Sequence, residues 1–197
     1  MRYLEYNHRH AIEILKDRGA WFEFADVLDG ITRDTIVTTH LEIAETRGTA
    51  PAGGQTAVNA VFKKRLADEL GWTPEPRLFG ATPELREWKM DFLKERVGVE
   101  ISFNHAEAIA WQLTRLTIAG ESPRVQPESE IDAGIIVVAD ASLKRWARMD
   151  GAVGTFDVFK AWLREMRPIL PIPLLLIGLQ ADGWDPTDAF RGTRGRG

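Results

Sequence analysis

Val97, Val99, Ile101 and Phe103 recur at every second residue, the spacing of a strand with one buried face. Glu100, Ser102 and Asn104 then stand in a row on the opposite face. A four-residue repeat, Val58, Phe62, Leu66 and Leu70, predicts an amphipathic helix stopped by Gly71. The N-terminal third reads as helical, from His8 to Lys16 and again from Trp21 to Gly30. Thr32 or Asp34 could cap a further segment through Ile43, against the β-prone run Ile36-Val37-Thr38-Thr39. Residues 48–54 (GTAPAGG) form a loop, and Pro74, Pro76 and Pro83 predict an irregular connection.

Trp88–Phe92 and Val97–Phe103 are close enough to pair as a hairpin. Ala106, Ile109, Ala110, Leu113 and Leu116 predict a helix ending at Gly120. Ile135–Val138 and Pro173–Leu179 read as strands buried on both faces, with a helix marked by Phe156, Phe159, Trp162, Leu163 and Met166 between them. Strand–helix–strand steps imply an α/β fold: a mixed central sheet flanked by helices, preceded by a helical region. Residues 1–183 are expected to form one domain and 184–197 a flexible Gly/Arg-rich tail.

Composition narrows the chemistry. The 197 residues include no cysteine, which removes disulfides and thiolate metal sites. No apolar run is long enough to span a bilayer, so no membrane partner is expected, and cytoplasmic residence is the default. A net charge of −4 argues against a general polyanion binder, while leaving room for a locally basic cleft. Of the seven tryptophans, Trp21, Trp111 and Trp162 fall within apolar patterns and are expected in the core. His8, His10 and His40 lack zinc-ligand spacing, and no Walker loop, GxSxG elbow or GxGxxG occurs.

Asp91 precedes Glu100 by nine positions, and the intervening turn can return it beside the glutamate. Two carboxylates on a rigid strand pair, with the Ile101 carbonyl between them, make a hard-cation site suited to magnesium. A solvated strand face holding Glu and Ser is the plain alternative. Carboxylates at the centre of a sheet, however, need a cation or partner to offset desolvation.

The segment Asp91-Phe92-Leu93-Lys94-Glu95-Arg96-Val97-Gly98-Val99-Glu100-Ile101-Ser102-Phe103 resembles the active-site hairpin of the BglII/BstYI group of type II restriction endonucleases, within the PD-(D/E)xK nuclease superfamily. Flanking blocks extend the resemblance over roughly residues 4–180. They are Tyr6-Asn7-His8 leading into a helix with Trp21, the run Asn59–Trp72, the strand Ile131–Val138 and the closing Pro171–Leu179. It implies a restriction endonuclease-like core that cleaves double-stranded DNA at a short palindrome as a homodimer, using Mg²⁺. Asp91 and Glu100 match the metal-binding carboxylates and the Ile101 carbonyl the backbone ligand.

Ser102 stands where the superfamily usually has lysine and this group glutamine. Its hydroxyl can hydrogen-bond an attacking water or a phosphate oxygen, or it can simply fill space in a weakened enzyme. In the first case catalysis leans on metal-activated water or recruits Lys89 or Lys94. Asn104 and His105 fall where the resembled enzymes read base edges, and equally where a helix cap is needed. Asp150 and Thr155, in the Gly-rich loop 149–155, have the same two readings: base contact, or for Thr155 a helix N-cap. The clusters Lys63-Lys64-Arg65 and Lys144-Arg145 with Arg148 are either solvated helix faces or contacts to the phosphate backbone, with Lys63 and Lys64 as the DNA-binding candidates. Rival readings are a nicking, repair or RNA-processing nuclease of the superfamily and a non-catalytic DNA-binding or interaction protein on a decayed nuclease fold.

Overall fold

A run of apolar residues unbroken by charge needs cover on both faces, and two such runs sit at the middle of the molecule. In the computed structural model, which describes residues 1–80, 83–85 and 87–190, these runs are β5 (Ala133–Ala139) and β6 (Leu174–Leu179), buried along their whole length. With β4 (Val97–Ser102) they form a parallel core. β3 (Phe92–Lys94) joins β4 antiparallel, β2 (Thr73–Pro74) joins β3, and β1 (Tyr3–His8) closes the other edge against β6. The six-stranded order is β1-β6-β5-β4-β3-β2.

Helices cover both faces of this mixed sheet, as expected. One face packs α1 (Ala11–Lys16), α2 (Gly19–Gly30), α3 (Arg33–Arg47) and α4 (Gln55–Lys63). Its core joins Trp21, Phe24, Phe62 and Trp72 to Val97, Val99, Ile101, Ile135 and Val137. α6 (Ala141–Trp146), after β5, adds Leu143 to the same core, and the other face carries α5 (Ile109–Glu121) and α7 (Phe156–Glu165), with Leu113, Leu116, Phe159 and Leu163 against Ile136, Val138, Leu174 and Leu176. The odd residues of β4 therefore face the N-terminal helices, as its alternation predicts. Its even residues, Glu100 and Ser102 among them, face α5.

Several expectations change. β1 was expected to be part of a helical region; pairing with β6 settles it as a strand, because that edge otherwise exposes unpaired backbone. The β-prone residues 36–39 lie inside α3, which Thr32 starts by accepting a hydrogen bond from the Thr35 N–H at 3.1 Å. The first hairpin strand is Phe92–Lys94 rather than Trp88–Phe92. Trp111 and Trp162 are 43% and 40% exposed rather than core residues, because they lie on the outer sides of α5 and α7. Trp111 instead packs edge-on against Trp88. Residues 184–190, expected in the tail, pack on the body: Trp184 meets Trp146, and Phe190 is buried against Trp146 and His40. The remainder of the expected tail, 191–197, lies outside the described residues.

Candidate active site

The β3–β4 hairpin sets the two carboxylates. Pairing of Phe92 with Val99 puts Asp91 next to Glu100, and the Asp91 N–H donates to the Val99 carbonyl at 3.2 Å. The Ile101 N–H donates to Asp91 Oδ2 at 2.7 Å. In an extended strand a residue's N–H and C=O point to the same side, so the Ile101 carbonyl faces the edge on which Asp91 sits. The carboxylates and the carbonyl thus converge just before β3 begins.

Glu100 is 2% exposed. Its Oε2 accepts from Arg115 Nη2 on α5 at 2.7 Å, while its Oε1 and Arg115 Nε have no hydrogen-bond partner among the described residues. Burial raises the pKa of both acids. For Glu100 the rise is well above the ordinary value, caused by desolvation and then by the Asp91 charge, with Arg115 opposing. For Asp91 desolvation is again the main cause, opposed by the Ile101 N–H and Arg115. A buried acid with one orphaned oxygen, a half-buried acid beside it and a nearby carbonyl form an oxygen donor set short of positive charge. That set fits a hard divalent cation, although no cluster of three His, Cys, Asp or Glu side chains converges among the described residues.

These groups line an open cavity of about 490 Å³. α4 supplies Asn59 and Lys63 to its wall, the segment at β2 supplies Pro74 and Glu75, the hairpin supplies Asp91, Phe92, Glu100 and Ile101, and Asn104 and Arg115 complete it. Glu75 is tied to the hairpin through its N–H, which donates to the Asp91 carbonyl at 2.9 Å.

Ser102 is placed differently. It is buried, outside the cavity wall, and its Oγ donates to Gln112 Oε1 on α5 at 2.8 Å. The hairpin lysines are also engaged elsewhere. Lys94 Nζ bonds both Glu23 oxygens, at 2.8 and 2.7 Å, and the Leu70 carbonyl, while Lys89 pairs with Glu75 at 2.9 Å.

The four base-contact candidates come together at the C-terminal end of the parallel strands. The Ala106 N–H donates to the Ala152 carbonyl and the Gly154 N–H to the Asn104 carbonyl. His105 Nε2 lies 3.7 Å from Asp150 Oδ1, both side chains being exposed. Thr155 forms a bridge with Ala139. His105 and Thr155 occupy helix N-cap positions, yet neither makes a side-chain cap hydrogen bond. Lys144 donates to the Gly151 and Val153 carbonyls and so braces this loop. Lys63 and Lys64 are both exposed, and Lys63 also lines the cavity.

Arg115, Gln112, Asn59 and Glu75 were not singled out from sequence. A signal for two of them existed: Gln112 and Arg115 interrupt the stripe Ile109, Leu113, Leu116 at helical spacing. Polar residues there meet the polar residues of the strand beneath.

Comparison with known proteins bears on the family and the fold. The family model described as restriction endonuclease BglII/BglIII matches residues 3–179. The crystal structure of the restriction endonuclease BglII complexed with a DNA 16-mer superposes with a TM-score of 0.69 at 15% identity, covering 92% of this chain and 78% of that one. The structure of free BglII gives 0.59 at 16% identity, covering 92% and 81%. No curated protein sequence matches. At such low identity the structures speak for the fold, but the family model covers nearly the whole chain, and the protein belongs to the BglII/BglIII restriction endonuclease family.

Proposed function

We propose that the protein is a type II site-specific deoxyribonuclease that cuts double-stranded DNA at a short palindrome, as a homodimer, with Mg²⁺ held by Asp91, Glu100 and the Ile101 carbonyl. The observation that carries the proposal is the buried, orphaned Oε1 of Glu100 beside Asp91 in an open cavity. A bound magnesium ion would lower the pKa of its water and neutralise charge on the phosphate. In the reaction a water oxygen bonds to phosphorus as one P–O ester bond breaks; the water's proton leaves to solvent and the departing oxygen takes one up. Asp91 is oriented for its share by the Ile101 N–H, and Glu100 by Arg115.

Asn104, His105, Asp150 and Thr155 are proposed to face the bases, since they cluster on one rim at the strand ends. Asn suits bidentate contact with adenine, and Asp accepts from cytosine N4. Lys63 and Lys64 are proposed to contact phosphates. Ser102, buried outside the cavity wall with its proton committed to Gln112, is proposed to act only by tying β4 to α5. Cytoplasmic residence accompanies this reading, and no helix among the described residues is long and apolar enough to cross a membrane.

The test is digestion of DNA of known sequence with magnesium, followed by sequencing of the fragment ends. Discrete ends at one palindrome are expected. Asp91→Ala and Glu100→Ala should each lower the rate on the order of 10³-fold, since metal charge stabilisation is worth several kcal/mol. Wild type and both variants equally inert across divalent metals would sink the proposal.

A further inference from the structure

Hydrolysis concentrates negative charge on the phosphate, and fixed donors aimed at that charge speed the reaction. The strand position that supplies a lysine in the wider superfamily is here Ser102, uncharged and hydrogen-bonded to Gln112. Lys94 is held by Glu23 and the Leu70 carbonyl, Lys89 by Glu75, and neither lines the cavity. The cavity wall does contain two cations, Lys63 from α4 and Arg115 from α5, and it is Arg115 that is bonded to one of the site's carboxylates.

We infer that Arg115, reaching in from α5, is the donor to the scissile phosphate in this chain, filling from the helix the charge position that Ser102 leaves empty on the strand. The inference rests on the reading of the cavity as a nuclease site. Its geometry has three parts. Arg115 Nη2 is anchored on Glu100 Oε2 at 2.7 Å, so the guanidinium is already oriented beside the metal-binding oxygens. The side chain is only 15% exposed, where a charge is screened less than at the surface. Its helix is fixed by the fully buried Leu113 and Leu116, and one turn away Gln112 holds Ser102.

The chemistry matches the task. A guanidinium has five N–H donors in a rigid fork, so holding Glu100 with one Nη leaves others for a phosphate. The Glu100 contact has a second effect: it orders the long side chain before DNA arrives.

Two readouts on Arg115→Ala and Arg115→Lys test the inference. The first is the single-turnover rate at saturating magnesium, on a plasmid that the wild type cuts. The second is the salt dependence of binding to a duplex bearing that cut site, in EDTA, where no cleavage occurs. Arg115→Ala should lose about 10²–10³-fold in rate, and the log–log salt slope should shrink by about 0.9 for one lost phosphate contact. Arg115→Lys should keep the slope but recover only part of the rate, because an ammonium lacks the fork.

A rate within threefold of wild type in Arg115→Ala overturns the inference. So does a large rate loss with an unchanged slope, which would make Arg115 only a positioning residue for Glu100. If Arg115→Ala melts below the assay temperature, Arg115→Lys decides: a full wild-type rate overturns the inference, whereas a reduced rate with an unchanged slope supports it. A wild type that cuts no DNA defeats the nuclease reading itself and takes this inference with it. A wild type that cuts, with variants that cut equally well, defeats the inference alone.

Discussion

A buried glutamate next to a second carboxylate is unfavourable unless something positive is added, and Glu100 has only half of that need met by Arg115. Its raised pKa has a direct consequence for stability without metal. Over the window from the unfolded glutamate value, about 4.3, up to the raised folded value, the native protein holds protons that the unfolded chain releases. Stability is therefore fully present below that window and falls as pH rises through it, by at most about 1.4 kcal/mol per pH unit for each proton. Asp91 adds to the trend in the same direction. Thermal melts in EDTA should show this decline, and Glu100→Gln should flatten it. Magnesium should reverse it, since the cation competes with protons for the same oxygens. A wild-type profile that rises across the window, or one unchanged in Glu100→Gln, would contradict this account. At this scale the sequence was informative where one strand's alternation fixed the side-chain direction, as for Glu100, and where a short turn returned a residue beside it, as for Asp91. Arg115 showed only as a break in the apolar stripe of α5, because a charge on a helix reads as solvated until the strand beneath it is known.

The hairpin that aligns these residues turns through Glu95 and Arg96, both at positive φ, 47° and 63°. Non-glycine residues there cost on the order of 1–2 kcal/mol each, and the usual tight-turn residues are Asn and Gly. The turn is retained because both side chains are used. Glu95 Oε2 accepts from the Ala20 N–H at 2.9 Å, satisfying a free donor in the first turn of α2. Arg96 bonds Asp132 and Glu130, ahead of β5. Glu95→Ala should destabilise the fold by about 1 kcal/mol, the usual worth of a helix cap. Urea melts would measure this, with an unchanged cleavage rate below the melting range because the carboxylates lie at the hairpin's far end. A loss as large as that of Asp91→Ala would mean the turn controls the site directly. Elements with a strong period, β4, α4 and α5, were readable in the sequence. β1 was not, since its pairing depends on β6 at the far end of the chain, and residues 36–39 were misleading because tertiary packing and the Thr32 cap outweighed their β propensity.

Across the whole molecule, the order of helices and strands was enough to imply a mixed sheet with helices on both faces, because parallel neighbours need crossovers. It could not give the edges: β2 is only Thr73–Pro74, and Phe190 returns to the core from a segment whose composition reads as a loose tail. One cavity with one carboxylate pair can cut one strand at a time, so a double-strand cut at a palindrome calls for a second copy related by a two-fold axis. A homodimer should therefore convert supercoiled plasmid directly to linear DNA, whereas a monomer should accumulate nicked circles first. Binding has a matching signature. A net charge of −4 spread over the chain gives no overall attraction to DNA, so the phosphate contacts proposed for Lys63 and Lys64 would act locally. Six to ten phosphate contacts over a dimer correspond to a loss of about 10³–10⁵ in affinity between 50 and 200 mM salt. Sedimentation at the assay concentration, alongside the plasmid time course, separates the cases. A species of monomer mass that still yields linear DNA without a nicked intermediate would rule out the two-fold assembly while leaving the chemistry of Asp91 and Glu100 intact.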